Sequence, residues 1–344
     1  MTKNPSPRAR HGDAHSYPLA MNTIGAEEVA AAKAVLDSGQ MTMGKLVQRF
    51  EEAFASYVGA SHALMVNSGS SANLLMVDAM VRRSSGDNHL NTGDEVIVPA
   101  LAWPTTVWPL AQLGLVPVFV DIDPDTLAID LDSAAAALSP RTKGMLLVHV
   151  LGRAPEMANY QAFCSTHDLA LLEDSCETVG AYSNEQHTGT FGEMGSFSCY
   201  FSHHLSTIEG GIVVTSDDAV FDDLKSLRSH GWARDRSDRS EWHAANPEID
   251  DRFLFVMGGY NVRPTEIQAA IGLVQITRLD AAIESREQLA AHVTELLDRH
   301  APWLELIGAS ELLRDGAESK RTHTWMTLPL RLRHDAPTAA LRAE

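Results

Sequence analysis

The stretch EVIVPALAWPTTVWPLAQLGLVPVFVD, residues 95–121, places two short apolar runs on either side of a segment with helical character. The runs EVIVP (95–99) and VPVFVD (116–121) have the length and nearly continuous apolarity of strands that are buried on both faces. GMLLVHV (144–150) and LALLED (169–174) repeat the pattern, and helical segments separate them. This alternation predicts an α/β fold with a mainly parallel central sheet flanked by helices.

Helical patterns also lie on both sides of this core. GAEEVAAAKAVLDSGQ (25–40) is amphipathic and has a glycine that can cap its C-terminal end. We assign the N-terminal arm and this helix, residues 1–40, to a large domain that spans residues 1–275. A long helical pattern then leads into residues 276–344, where THTWMTLPLRL (322–332) predicts a strand of a smaller α/β domain. Because the sequence stops at PTAALRAE, where a helix has only begun, we expect the C-terminal domain to be incomplete.

The composition excludes several classes of protein. Of the 344 residues, 44% are hydrophobic and 21% are charged, as in a globular protein with a large core. A formal charge of −18 argues against a nucleic-acid partner, because phosphate backbones are bound by basic surfaces. No stretch approaches the roughly 18 apolar residues of a membrane span, and the polar N-terminus does not resemble a secretory signal. The three cysteines form no C-x-x-C pair, which favours reduced thiols and a cytoplasmic location.

VNSGSSANLLMVDAMV (66–81) is the first of four candidate sites. A strand end is followed by Gly69, Ser70 and Ser71 and then by a helix. The glycine allows a close approach of the backbone, and the free amides of a helix N-terminus together with serine hydroxyls can bind a phosphate. A serine that only caps the helix would give the same sequence.

Two more candidates follow strand ends. Asp174 closes the apolar run LALLED, and a carboxylate at such a tip lies where open α/β sheets bind ligands. It can pair with a protonated ring nitrogen, although it can equally cap the next helix. Trp103 follows the run at 95–99 and can stack on a cofactor ring, although a half-buried core tryptophan is the commoner outcome.

GSFSCYFSHHLSTIEGGIVVTSDD (195–218) supplies the fourth candidate. Ser198 precedes the adjacent pair His203 and His204, and a Gly-Gly turn follows. Imidazole titrates near neutral pH, so a histidine doublet in a loop of small residues is a good acid–base candidate. In chain order the four candidates are a phosphate loop, an aromatic ring, a strand-end acid and a reactive loop. This order is typical of a site for one phosphate-bearing aromatic cofactor.

Four longer segments together resemble the DegT/DnrJ/EryC1/StrS family of pyridoxal-phosphate enzymes, which act on nucleotide-linked keto sugars. The resemblance implies the type I aminotransferase fold and a homodimer with active sites at the subunit interface. The segments that carry it are MTMGKLVQRFEEAFASYVGASHALMVNSGSSANLL (41–75), VPVFVDIDPDTLAID (116–130), LLEDSCETVGA (171–181) and GGYNVRPTEIQAAIGLVQITRLD (258–280).

Taken over position by position, the resemblance implies how the cofactor phosphate is held. Gly69, Ser70 and Ser198 would hold it, with Ser71 beside them. Asn261, in GGYNVR, would reach the phosphate of the cofactor bound to the neighbouring subunit.

The resemblance also implies contacts to the cofactor ring and the substrate. Trp103 would stack on the pyridine ring, and Asp174 would keep the ring nitrogen protonated so that the ring accepts electrons. Glu177 would lie near the ring hydroxyl, at a position where many relatives have Gln or His. We further expect the sugar substrate to contact three residues: His149, His204 and Arg263.

The decisive departure from the family pattern concerns the residue that anchors the cofactor. Aminotransferases of this family carry a lysine eight residues before the second glycine of the turn, and here that position holds His203. Imidazole forms no stable Schiff base, so we expect pyridoxal or pyridoxamine phosphate to be held without a covalent bond. The pattern SHHLSTIEGG is similar to the family's 3-dehydratases, which remove the C3 hydroxyl of a nucleotide-linked 4-keto-6-deoxyhexose in deoxysugar biosynthesis. His203 would then be the base that takes a proton from the cofactor methylene.

Two subtypes of 3-dehydratase differ in what they require. One carries a [2Fe–2S] cluster and needs a partner reductase, and the other takes its amine from glutamate and needs no metal. An all-thiolate cluster takes about four cysteines, whereas this chain has three. Arg236 and Asp238 lie where a close cysteine pair would be expected, although Cys176 matches a cysteine of cluster-bearing relatives. We therefore favour glutamate as the amino donor, disfavour the cluster and expect no metal site. A partner reductase is disfavoured but stays possible, because residues 100–130 resemble the cluster-bearing subtype.

Two other functions stay open at this point. An NDP-sugar aminotransferase would need a lysine from another part of the chain, and a pyridoxal-phosphate-binding protein without turnover would need none. The phosphate, ring and acid residues are compatible with both. His149, at a strand end, fits a core histidine as well as it fits a sugar contact.

Overall fold

The computed structural model describes residues 22–83, 89–312 and 320–333. The strands of this part of the chain are β1 (His62–Val66), β2 (Glu95–Pro99), β3 (Val116–Val120), β4 (Thr142–Val148), β5 (Ala170–Asp174), β6 (Tyr182–Ser183), β7 (Gln186–His187), β8 (Met194–Ser198), β9 (Gly211–Thr215), β10 (Leu304–Leu306) and β11 (Leu330–Leu332). The α-helices are α1 (Ala26–Ser38), α2 (Lys45–Val58), α3 (Gly69–Arg82), α4 (Pro104–Gln112), α5 (Leu131–Ala136), α6 (Met157–His167), α7 (Asp218–Arg228), α8 (Arg239–Ala245), α9 (Glu266–Ile276) and α10 (Leu279–His300). Short 3₁₀ helices are formed by Val150–Gly152, Asp251–Phe253 and Ala309–Leu312.

Seven strands form the central sheet in the order β1-β9-β8-β5-β4-β2-β3. Neighbours from β8 to β3 pair in parallel, whereas β9 runs antiparallel to both β1 and β8. Parallel neighbours need crossover connections, and the helices between them cover the sheet. The predicted α/β fold with a mainly parallel sheet is confirmed, and the carboxyl ends of β4, β5 and β8 meet at one edge.

The strand pattern of the sequence matches the structure closely where a strand lies inside the sheet. EVIVP is β2, and all five of its residues are buried. The prediction of burial on both faces is wrong for β3, because this strand is at the edge of the sheet. There Val116 is 40% exposed and Phe119 is 59% exposed.

Alternate residues of each central strand enter different cores. In β4, Leu146 packs with the apolar side of α3, whereas Met145 and Leu147 pack with α6 on the opposite face. Most residues of α3 are buried, Gly69 of its first turn among them, so the start of the helix packs against the edge where β5 and β8 end.

The C-terminal segment departs from its predicted form. Only Leu330–Leu332 of the predicted strand 322–332 is a strand, and it pairs antiparallel with β10. Trp325 has a φ of 53°, a left-handed conformation that interrupts an extended chain. The long helical pattern becomes α9 and α10, and a domain boundary after residue 275 stays a prediction.

Within the described residues, no helix is both long and apolar enough to cross a bilayer. At the other end of the chain, the predicted helix at 25–40 becomes α1, and Gly39 caps it with a φ of 71°.

Candidate cofactor site

The candidate residues from distant parts of the sequence converge at the edge where β5 and β8 end. Asp174 is the last residue of β5, and Ser198 is the last residue of β8. Helix α3 begins at Gly69 against this edge, and α4 begins one residue after Trp103. Four elements therefore place their polar ends around one point.

The start of α3 forms the first part of the site. A Cβ atom at Gly69 would lie 2.7 Å from Ser198 Cβ, so only glycine allows the start of α3 and the end of β8 to approach this closely. Ser68 caps the helix by accepting a hydrogen bond from the Ser71 amide at 3.1 Å, and Ser71 Oγ donates to Asn67 Oδ1 at 2.6 Å. The remaining first-turn amides have no acceptor inside the helix, so they can bind an anion.

The Gly-Gly turn that follows the histidines lies directly beneath this helix start. A Cβ atom at Gly211 would come within 2.1 Å of the Ser68 carbonyl oxygen. The left-handed residue of the turn is Ile208, with a φ of 72°. The second glycine is thus required by the close packing of β9 against the start of α3.

Asp174 is held in one orientation by three donors. Its Oδ2 accepts hydrogen bonds from Thr106 Oγ1 at 2.7 Å and from Asn73 Nδ2 at 2.8 Å, and its Oδ1 accepts from the Cys176 amide at 3.1 Å. Asp174 is only 4% exposed. Ser196 Oγ donates to Asn73 Oδ1 at 2.5 Å, which fixes which end of the Asn73 amide faces the carboxylate.

Cys176 connects the three parts of the site. Its thiol lies 3.2 Å from the Cβ position of Gly69, its amide binds Asp174, and its carbonyl accepts a hydrogen bond from His203. Burial, reinforced by the Asp174 charge, raises the pKa of the Cys176 thiol, so the thiol stays neutral. The adjacent Glu177 accepts from the Leu151 amide at 2.6 Å, and burial raises the pKa of its carboxyl group.

His203 presents one ring nitrogen to the site. Its Nδ1 is 2.7 Å from the carbonyl oxygen of Cys176, and this contact requires a proton on Nδ1. The neutral ring then carries its lone pair on Nε2. Burial lowers the pKa of His203, an effect that the hydrogen bond to Cys176 opposes. The neutral imidazole is therefore the main form near neutral pH, as a general base requires.

Two predicted substrate contacts are buried. His204 Nε2 lies 2.9 Å from the Thr324 carbonyl oxygen, and burial lowers the pKa of this ring to about 3. His149 Nε2 lies 2.8 Å from Glu173 Oε2, and both of these side chains are fully buried. These positions match core histidines, and the contact of either ring with a sugar stays a prediction.

Three other predicted residues lie at the surface. Trp103 is 74% exposed, so its ring is open to a ligand. Asn261 is exposed, and its Oδ1 accepts from Arg263 Nε at 3.0 Å. The amide of Asn67, beside the start of α3, donates to the carbonyl of Val262 and ties this segment to the phosphate loop.

Sequence reasoning missed the residues that orient the predicted ones. Asn73, Thr105, Thr106 and Ser196 contact Ser70, Asp174 or each other, yet nothing in their local pattern marks them. The available signal was spacing: Asn73 lies one helical turn after Gly69, on a helix whose N-terminus was already a candidate.

The cysteines are separated in space. Cys164, in α6, packs in one core, and Cys199 packs in a separate core around α2 and α9. No group of three or more His, Cys, Asp and Glu side chains in the described ranges is arranged to hold a metal ion.

These residues fit pyridoxal phosphate. Such a cofactor needs an anion site for its phosphate, an acid to pair with its ring nitrogen and a group that moves a proton. The glycine-permitted contact of α3 with Ser198 provides the first, the oriented Asp174 carboxylate the second and His203 Nε2 the third. Which of them touch the cofactor is a proposal.

Comparisons with known proteins agree with this geometry. A family model described as the DegT/DnrJ/EryC1/StrS aminotransferase family matches residues 22–343. The GDP-4-keto-6-deoxy-D-mannose 3-dehydratase of Yersinia pseudotuberculosis is 40% identical over 293 residues, which cover 85% of this chain and 74% of the relative.

Solved structures show the same likeness. The Escherichia coli GDP-4-keto-6-deoxy-D-mannose-3-dehydratase with bound hydrated PLP superposes with a TM-score of 0.84 at 37% identity, covering 94% of this chain and 80% of that chain. A GDP-4-keto-6-deoxymannose-3-dehydratase with a trapped PLP–glutamate geminal diamine gives a TM-score of 0.82 at 37% identity, covering 94% and 81%.

Proposed function

This chain belongs to the DegT/DnrJ/EryC1/StrS aminotransferase family, and we propose that it removes the C3 hydroxyl of a nucleotide-linked 4-keto-6-deoxyhexose, using pyridoxal or pyridoxamine phosphate. The relatives reported above are named for a GDP-linked mannose derivative, so a GDP sugar is the first substrate to test. The observation that carries the proposal is His203, which stands at the position of the family's anchoring lysine. Its hydrogen bond within the described residues is made through Nδ1, so Nε2 carries the lone pair of a base.

The lysines of the chain support a site without a covalent anchor. Lys225 pairs with Asp222 at 2.9 Å on α7, and the Lys320 amine lies 4.8 Å from the centre of the Tyr182 ring. Lys143 is at the amino end of β4, opposite to the edge that carries Asp174. Lys33 lies in α1, Lys45 begins α2, and Lys3 lies outside the described residues.

The roles of the residues follow from their positions. The first turn of α3, with Ser70 and Ser198, binds the phosphate, and Asp174 holds the proton on the ring nitrogen. Trp103 would cover one face of the ring and exclude water from it. Glu177, beside Cys176, would lie near the ring hydroxyl.

His203 moves the proton on which the elimination depends. When bound, pyridoxamine phosphate supplies the amine that joins the C4 ketone and a ring that takes up electrons while the C3–oxygen bond breaks. His203 Nε2 would accept the proton from the cofactor methylene and would return it to the C3 hydroxyl, which would leave as water. Because the side chain at this position is not an amine, it cannot rebind the cofactor aldehyde as lysine does.

The amine, the assembly and the location complete the proposal. A relative holds a PLP–glutamate adduct, which supports glutamate as the amino donor. A homodimer would bring Asn261 to the phosphate of the neighbouring site, as the exposed position of Asn261 allows. All three cysteines are free thiols, which supports a reducing, cytoplasmic setting.

The test is product analysis with pyridoxal phosphate, glutamate and GDP-4-keto-6-deoxymannose. We expect a sugar product lighter by one oxygen atom, with one glutamate converted to oxoglutarate and one ammonia released for each sugar, all detected by mass spectrometry. H203N should lower the rate by about 100- to 10,000-fold, the usual contribution of a general base, whereas H62N, at a surface ion pair with Asp218, should not.

Three outcomes would contradict the proposal. Full activity in H203N would remove His203 from its role. An aminosugar as the main product would identify an aminotransferase. No conversion across CDP-, dTDP-, UDP- and GDP-linked 4-keto sugars, with cofactor bound, would identify a binding protein without turnover.

A further inference from the structure

One short turn touches both ends of the candidate cofactor site. It consists of Trp103, Pro104, Thr105 and Thr106, where α4 begins. The Thr106 amide donates to the Trp103 carbonyl at 3.0 Å, and Pro104 occupies the first helical position, where its fixed φ suits the helix. Both features restrict the backbone conformation of the turn.

Thr105 reaches the phosphate end. Ser70 Oγ donates to Thr105 Oγ1 at 2.9 Å, across from α3 to α4. Ser70 is exposed in the first turn of α3, where the helix amides lack internal acceptors. A free serine side chain at such a position would populate several rotamers, so the contact with Thr105 selects one of them.

Thr106 reaches the ring-nitrogen end. Its Oγ1 donates to Asp174 Oδ2 at 2.7 Å, and its side chain is fully buried. The second donor to this oxygen is Asn73, which Ser196 orients from β8. With both donors on Oδ2, the carboxylate cannot rotate without breaking two hydrogen bonds to a charged acceptor.

We propose that Thr105 and Thr106 are positioning residues with separate tasks: Thr105 sets Ser70 for the cofactor phosphate, and Thr106 sets Asp174 for the ring nitrogen. The inference rests on the proposed function only in assuming that pyridoxal phosphate binds here. Two adjacent residues of one turn thus align the two ends of one ligand, and Trp103, in the same turn, lies beside the ring between them.

The test compares T105V with T106V, since valine keeps the shape of threonine and removes the hydroxyl group. Two measurements are made on each protein: the dissociation constant of pyridoxal phosphate, by absorbance titration, and the ¹⁵N chemical shift of its labelled ring nitrogen. T142V is the matched control, because Thr142 is also buried and donates to a carboxylate, Glu95, at the opposite end of the sheet.

We expect T105V and T106V to change different measurements. T105V should weaken cofactor binding about tenfold, as expected for one hydrogen bond to an anion-binding group, and leave the ring shift unchanged. T106V should move the shift towards that of an unprotonated pyridine, with less than about threefold change in affinity. T105S and T106S should restore the wild-type values, and T142V should change neither measurement.

If T106V does not fold, T106C decides the question. Cysteine is similar in size to threonine and replaces the hydroxyl with a weaker donor, so the ring shift should move in the same direction by a smaller amount. Identical effects of T105V and T106V, or no change of the ring shift in T106V or T106C, would overturn the inference.

The outcome is distinguishable from failure of the proposed function. Wild-type protein that binds the cofactor with a protonated ring nitrogen but forms no deoxy sugar would refute the dehydration and leave the positioning roles standing. Wild-type protein that binds no cofactor would refute both.

Discussion

Strand β5 ends in two adjacent carboxylates that face opposite sides of the sheet and have different surroundings. On the anchoring side, Glu173 accepts hydrogen bonds from His149 and from the amides of Gly189, Phe191 and Gly192, at 2.6–2.9 Å. On the site side, Asp174 accepts from Thr106, Asn73 and the Cys176 amide. The same chemical group thus serves two purposes one residue apart.

The two carboxylates differ in the parts of the structure that supply their hydrogen-bond donors. The donors to Glu173 are a loop backbone and a fully buried histidine, so this carboxylate fastens residues 189–192 to the sheet. The donors to Asp174 lead, through Cys176, to His203 and the start of α3. A strand-end acid therefore indicates a ligand site only when the neighbouring elements on its side present their own polar ends.

The largest expected effect is on the site side. D174N keeps the shape of the side chain but removes the charge that pairs with a protonated ring nitrogen. We expect kcat to fall by about 100- to 1000-fold, the range for removal of one electrostatic contact to the reacting group. The loss of stability should be smaller than that of E173Q, because the amide oxygen can still accept from Thr106 and Asn73 and only the Cys176 amide loses its acceptor. A loss of folding with little loss of activity per folded molecule would erase the contrast between the two sides.

E173Q should give the opposite result. Glutamine presents an NH₂ group to donors that need an acceptor, so two buried groups lose their partner. We expect a loss of about 3 kcal/mol in the free energy of unfolding, measured by urea denaturation. Activity per folded molecule should be unchanged. E52Q, on the exposed face of α2, is the control and should change stability by less than about 0.5 kcal/mol.

Acid should lower the stability of the protein through His187, on the side of the sheet that Glu173 anchors. His187, just before the loop that Glu173 holds, is buried, and burial lowers its pKa from 6.5 to about 4. Below pH 6.5 the unfolded chain takes up a proton at His187 that the folded chain refuses until about pH 4, so stability falls over this window. The loss from this group should reach about 2 kcal/mol at pH 5. Urea denaturation from pH 7 to 5 measures it, and a flat profile would contradict the burial of a neutral His187.

The smallest effect concerns the pH dependence of activity on the site side. Burial lowers the pKa of His203, so its base form persists below the ordinary value of 6.5. At pH 6 the enzyme should keep more than the roughly one quarter of kcat/KM that an ordinary imidazole would leave. An acid limb at or above pH 6.5 would show that His203 is not the buried base proposed here.

Much of the site could be read from the sequence because each signal was local. A continuous apolar run followed by Asp174, and a histidine at a set distance before Gly211, are visible within a few residues. The apolar run that became β3 gave a wrong expectation of burial, because the position of a strand in the sheet depends on its neighbours and not on its own residues. The same limit applied to the segment at 322–329, where a left-handed Trp325 replaced the expected strand.

The amino-acid sequence by itself determined the parallel α/β arrangement, the family and the exchange of lysine for histidine, because periodicity and residue identity are properties of neighbouring positions. The tertiary structure alone decided that Thr105 and Thr106 meet Ser70 and Asp174, that Glu173 anchors a loop, and that Gly211 must be glycine beneath Ser68. These are contacts between segments far apart in the chain. They depend on crossover connections and on close packing, which bring residues together although their local sequence does not indicate the contact.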